Sequence, residues 1–221
     1  MAKIYLRETW SRKLGWDDPL PAELCNKWSN FFTALFKLQR LCLERCLRPG
    51  NSDGRPWLII LSDGSDLAYG FAAYIRLKMD DGSYWCRLIM AKCRIAPINK
   101  LSTPQMELNA AVLSKRVRKV IEKEMRFDFE RVLQIVDSET VLTDWLTHGR
   151  APEELNNDSH WWNGPPILYR PIEEWGLKFN SKKEPLPGEK KVHVIAAASV
   201  EALVIEYERF SNINKAIWVV A

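Results

Sequence analysis

Hydrophobic positions along the chain fall first into a helical pattern and then into extended ones. Leu24, Trp28, Phe31, Leu35 and Leu38 recur at spacings of four, three, four and three, one face of a helix whose start Pro19 and Pro21 punctuate. Pro49-Gly50-Asn51-Ser52-Asp53-Gly54 is rich in loop formers and marks a domain boundary. Trp57–Leu61 is continuously apolar, as expected of a strand buried on both faces. Tyr69–Leu77 and Tyr84–Ile95 are two further strand-like runs, joined by the hairpin signal Asp80-Asp81-Gly82-Ser83. Thr103 can cap a helix with Pro104 at its first position, and Met106, Ala110, Leu113, Val117 and Val120 form its apolar face. Arg131–Val136 reads as a short buried strand, and a helical pattern runs from about Ser138 to His148.

Helix, three-strand meander, helix, strand, helix is the order of a mixed α/β layer fold. Within it, Trp57–Ser62 and Arg131–Val136 are expected to be adjacent parallel strands. From Gly149 the pattern weakens. Trp161-Trp162-Asn163-Gly164-Pro165-Pro166 is a loop whose tryptophans are expected to pack against the main domain, because each removes much apolar area from water. Lys182–Lys191 reads as a charged linker, and the residues from about Ser199 onward as one more helix.

Composition narrows the function classes. The five cysteines, Cys25, Cys42, Cys46, Cys86 and Cys93, contain no CxxC pair, and their odd number fits reduced thiols. His148, His160 and His193 match no zinc spacing. The apolar run Val194–Val200 is too short to span a bilayer, and the chain opens without a signal peptide. An intracellular protein, cytoplasmic or nuclear, is expected, with no membrane partner. The net charge of +4 is compatible with nucleic acid.

The candidate chemistry lies in the carboxylates. Asp63 directly follows the buried run that ends at Ser62, and Asp137 directly follows Arg131–Val136. Two parallel neighbouring strands would bring both acids to one edge of the sheet, where Glu107, in the first turns of the helix starting near Pro104, can reach them. Acids so gathered repel one another unless a cation sits between them. Hard oxygen ligands suit magnesium or manganese, and two such ions can drive phosphodiester hydrolysis.

At these residues the sequence resembles the BEL/Pao family of animal LTR retrotransposons. "WSRKLGWDDPL" (10–20) resembles the segment after the reverse transcriptase. "LSDGSDLAYGFAAYIRL" (61–77), "AKCRIAPINKLSTPQMELNAAVL" (91–113) and "IVDSETVL" (135–142) resemble the three ribonuclease H motifs that carry Asp63, Glu107 and Asp137. "TDWLTHGRAPEEL" and "SHWWNGPPIL" resemble the end of the domain and its connection toward integrase. The resemblance implies a ribonuclease H-like mixed sheet, an antiparallel three-strand meander plus a parallel strand, with packed helices. It implies a polyprotein fragment with residues 1–50 as a helical connection segment, 56–148 as the ribonuclease H-like domain, and 149–221 as a linker and C-terminal helical segment. It also implies hydrolysis of the RNA strand of RNA–DNA hybrids, Mg2+ or Mn2+ as cofactor, and contacts with reverse transcriptase and integrase regions of a parent polyprotein.

The chain departs from the family between Asp137 and Thr143. A strand and a helix that separate the third motif from the segment carrying the fourth acid, Asp144, are missing. A sheet truncated of its last strand and helix is therefore expected, with activity weak or lost. If Asp137 and Asp144 share a helix, they stand roughly 10 Å apart along its axis, too far for one metal site. Lys92, Arg94, Lys100, Lys115 and Arg116 are the candidate phosphate contacts. Two alternatives stand beside the hydrolase: a non-catalytic remnant that binds nucleic acid or protein, and an aspartic peptidase. The peptidase requires an Asp-Thr-Gly or Asp-Ser-Gly turn, whereas Asp63-Gly64-Ser65 has glycine and serine in the opposite order.

Overall fold

The computed structural model describes residues 2–98, 101–136, 147–149, 152–176, 178–179 and 193–196. Its centre is a sheet of β1 (Ser52–Gly64), β2 (Ala68–Met79), β3 (Tyr84–Ile95) and β4 (Arg131–Val136), extended by β5 (Lys178–Phe179) and β6 (His193–Ala196). The strand order is β3-β2-β1-β4-β6-β5. β1, β2 and β3 form the antiparallel meander. β4 lies parallel to β1, with Trp57 opposite Arg131 and Ser62 opposite Val136, as the two buried runs predict.

Each buried face of β1 has its own core. Leu58 and Ile60 join Phe71, Ala73, Leu113 and Ile121 beneath α3 (Thr103–Glu124). Ile59 and Leu61 join Tyr74, Cys86, Leu133, Leu168 and Trp175 on the opposite face. A continuous apolar run is thus what this strand requires. Full burial of each such side chain contributes about 1.5–3 kcal/mol. The face opposite α3 is closed by residues 161–175, and Trp161 packs against its core. Trp162 is half-buried, against the outer side of β3.

The hairpin forms at Asp80–Ser83, where Gly82 takes φ 83°, a left-handed value that favours glycine. Its closure is made by the Met79 and Gly82 amides, which donate to the Ser83 and Met79 carbonyls, both at 2.9 Å. Two details of α3 differ from the sequence expectation. Ser102, not Thr103, is the N-cap, and its amide donates to Gln105 Oε1 at 3.0 Å. Val120 is exposed, and Ile121, four residues after Val117 instead of three, completes the buried stripe.

Several elements lie outside the predicted set. α1 (Ala2–Ser11) packs on α2 (Ala22–Leu35) through Tyr5, whose ring meets Trp28 and Phe31 edge-on at 5.7 and 6.1 Å. β6 pairs parallel with β4, Leu133 opposite His193, so the sheet edge expected to lack a strand is occupied from beyond the departure. The patterns read at 182–191 and from 199 onward lie outside the described residues, as does most of the helical pattern at 138–148. Among the described residues, no helix is long and apolar enough to cross a membrane.

Candidate active site

β1 delivers Asp63 to the end of the sheet. Strand alternation sends Leu58 and Ile60 toward α3, and Gly64 continues that row. At Gly64 the two backbones touch: a Cβ there would lie 2.6 Å from the Glu107 amide nitrogen and closer still to Met106 backbone atoms. Only glycine allows this approach. It brings the backbone beside Asp63 against the turn of α3 that carries Glu107. Both acids are half-buried. The next turn is tight, with the Ser65 amide donating to the Ala68 carbonyl at 2.8 Å and the Leu67 amide to Ser65 Oγ at 3.2 Å.

β4 ends at the same level, since Val136 is the register partner of Ser62. Ser62 is fully buried and donates from Oγ to the Ile135 carbonyl at 3.4 Å. α3 is tied to β4 by buried Gln134, whose Nε2 donates to Ser114 Oγ at 3.2 Å. Asp137 and Asp144 lie outside the described residues, and so does Lys100. Among the described residues, no group of three or more His, Cys, Asp or Glu gathers in metal-binding geometry.

Thr147 was not singled out from the sequence, yet its buried hydroxyl donates to Asp63 Oδ2 at 3.2 Å. Residues 137–146 lie outside the described residues, and Thr147 and His148 are helical, at the end of the helical pattern read from about Ser138 to His148.

The basic candidates separate into two groups. Lys92 and Arg94 are exposed on β3, opposite Phe71 and Tyr69 and therefore on the α3 side of the sheet. Lys115 is half-buried and Arg116 exposed on α3, eight and nine residues past Glu107, about 12–14 Å down the helix.

A family model described as the Pao retrotransposon-like RNaseH-like domain matches residues 1–138. The chain belongs to this family. The Pao match runs from α1 through β4, includes Asp63, Glu107 and Asp137, and ends at residue 138, before Asp144. The antiparallel meander with its parallel fourth strand and packed helices is the ribonuclease H-like architecture that the family implies. No curated protein and no solved structure matches the chain significantly.

Proposed function

We propose that this Pao-family domain is a metal-dependent hydrolase of the RNA strand of RNA–DNA hybrids, with Asp63, Glu107 and Asp137 as ligands of magnesium or manganese. The observation that carries the reading is the backbone contact of Gly64 with Met106–Glu107, which draws two carboxylate-bearing turns together at the end of the parallel pair. Asp137 is the next residue in sequence after the register pair Ser62–Val136. The donor chemistry fits: carboxylate oxygens are the hard ligands such ions take. Bound there, the ions would activate water and neutralise charge at the leaving oxygen. The chain's own contribution is orientation. In this reading the Thr147 hydroxyl orients the Asp63 carboxylate, and the Gly64 contact holds the α3 turn that carries Glu107 against the backbone beside Asp63.

Asp144 is the fourth acid of this proposal. Thr147, three residues later in sequence, donates to Asp63. A residue from beyond the departure thus meets Asp63, which supports a working site over the weak or lost activity expected from the departure. The second reading, a non-catalytic nucleic-acid-binding remnant, is favoured by the end of the family match at residue 138, before Asp144.

The test is cleavage of a labelled RNA–DNA hybrid with magnesium and with manganese, beside the Asp63→Asn variant. Ion-dependent cutting of the RNA strand is expected, reduced on the order of a hundredfold or more by the substitution. Hybrid binding without cutting would leave the non-catalytic reading standing, and absence of both would defeat the two together.

A further inference from the structure

We propose that α1 belongs to the nucleic-acid surface, with Lys3 and Arg7 contacting backbone phosphates of the bound duplex beside Lys92 and Arg94. The inference rests on the nucleic-acid reading above and names part of its interface.

Lys3 and Arg7 are four residues apart and share a face of α1. Lys3 Nζ donates to the Cys93 carbonyl at 3.0 Å, between Lys92 and Arg94 in the chain. Arg7 Nη1 donates to the Leu67 carbonyl at 3.5 Å. Leu67 lies in the turn that leads from Asp63-Gly64 into β2, and its carbonyl also accepts from the Ala96 amide at 2.8 Å. The four cations therefore line the end of the sheet at which β1 delivers Asp63.

Their charge is not cancelled. A backbone carbonyl holds an ammonium or guanidinium in place but carries no net charge to offset it. Among the described residues, none of Lys3, Arg7, Lys92 and Arg94 is in an ion pair. Of the nearby acids, Glu8 is engaged by Arg12 at 2.7 Å and by Lys27 at 3.2 Å, and Asp66 is exposed in the turn. At the opposite end of the sheet, by contrast, Arg55 is paired with Asp128 at 2.9 Å. Two held cations, Lys3 and Arg7, beside the exposed Lys92 and Arg94 at the end of the sheet that carries Asp63 suit the regularly spaced charges of a phosphate backbone.

The bland alternative is that Lys3 and Arg7 only fasten α1 to the sheet. The double variant Lys3→Gln/Arg7→Gln separates the two roles, because glutamine keeps an N–H donor for each carbonyl and loses the charge. Hybrid binding by the full chain is followed by fluorescence anisotropy in EDTA, across a salt series. Loss of two phosphate contacts should lower the slope of log affinity against log salt by about 2. A wild-type chain that binds the hybrid, with a variant of unchanged slope and affinity, overturns this inference alone. A wild-type chain that binds no nucleic acid overturns the functional reading with it. Should the double variant fold poorly, lysine acylation of the wild-type chain decides: the hybrid should protect Lys3 and Lys92 and leave Lys78, at the far end of β2, unprotected. Equal labelling of Lys3 with and without hybrid would count against the proposal.

Discussion

Arg76 donates from Nε to the Leu168 carbonyl at 2.6 Å, and from Nη2 to the Arg170 carbonyl at 2.7 Å. The guanidinium stands over the Tyr84 ring at 3.5 Å and within reach of Trp57 at 4.8 Å and Trp175 at 5.2 Å. An arginine only 3% exposed is costly to bury, and burial pushes its pKa below the ordinary value. Here the planar fork meets two carbonyls and the rings take the charge, so Arg76 clamps residues 168–175 onto the sheet. Arg76→Ala removes both bonds, leaving the Arg170 carbonyl with the Trp175 indole N–H and the Leu168 carbonyl with only the weak Cys86 thiol donor, and should lower unfolding stability by roughly 3 kcal/mol. Arg76→Lys should recover only part of this, because an ammonium cannot span both carbonyls in one plane. Urea unfolding of the three proteins checks the order.

Stability should fall on the alkaline side. Burial pushes the Cys86 thiol up to about 12 and raises the Tyr74 phenol well above its usual value. Both groups are neutral in the folded protein, whereas the unfolded chain begins to release the Cys86 proton near pH 9 and the Tyr74 proton near pH 10. The unfolded state then binds fewer protons, so stability is full below about pH 9 and declines above it. The slope is about 1.4 kcal/mol per pH unit for each group fully titrated in the unfolded chain. Denaturant midpoints from pH 7 to 11 test this, and Cys86→Ala should flatten the first part of the decline.

How much of this was legible in the sequence depended on which interactions fix each element. The Leu58–Leu61 run announces a doubly buried strand because both of its neighbours, α3 and residues 161–175, are apolar, and the meander follows from the Asp80–Ser83 turn. α1 was missed because its contacts with α2 are a few rings and ion pairs, such as Tyr5–Trp28 and Glu8–Lys27, and not a regular apolar stripe. β6 was missed because a four-residue strand is too short to show a period, and only its pairing with β4 makes it one. At the site, the acids that end strands could be read locally. Thr147 could not, because its role comes from a contact with a residue 84 positions away. Gly64 carried a signal, a glycine directly after a strand-end acid, but its purpose needed the approach of α3.

Gly64→Ala tests that approach. The added Cβ meets backbone and not the far end of a flexible side chain, so α3 and β1 have to separate locally. Overpacking of this kind costs about 1–3 kcal/mol. It should also displace Glu107 from Asp63, so ion affinity should fall beyond what the stability loss explains. Calorimetric titration of magnesium into the folded variant, below its thermal transition, is the measurement; unchanged ion binding would separate the Gly64 contact from the proposed metal site.

Thr147 offers a finer test, because its hydroxyl can be removed with little change of shape. Oγ1 lies 3.2 Å from Asp63 Oδ2 and 3.1 Å from His148 Nδ1. A hydroxyl has one proton to give; donated to the carboxylate, it leaves Oγ1 as acceptor, so the hydrogen of the His148 bond comes from Nδ1. Thr147→Val keeps the branched side chain and loses the bond to Asp63. Groups that orient a metal ligand in this way are worth about 10- to 100-fold in ion affinity or activity. The magnesium concentration giving half-maximal hybrid cleavage should therefore rise in Thr147→Val and return toward the wild-type value in Thr147→Ser, which restores the hydroxyl. Hybrid binding in EDTA should be the same for all three, since Thr147 is buried and contacts no phosphate in this reading. If the valine and serine variants lose activity equally, with an unshifted magnesium requirement, Thr147 contributes through packing and not through Asp63.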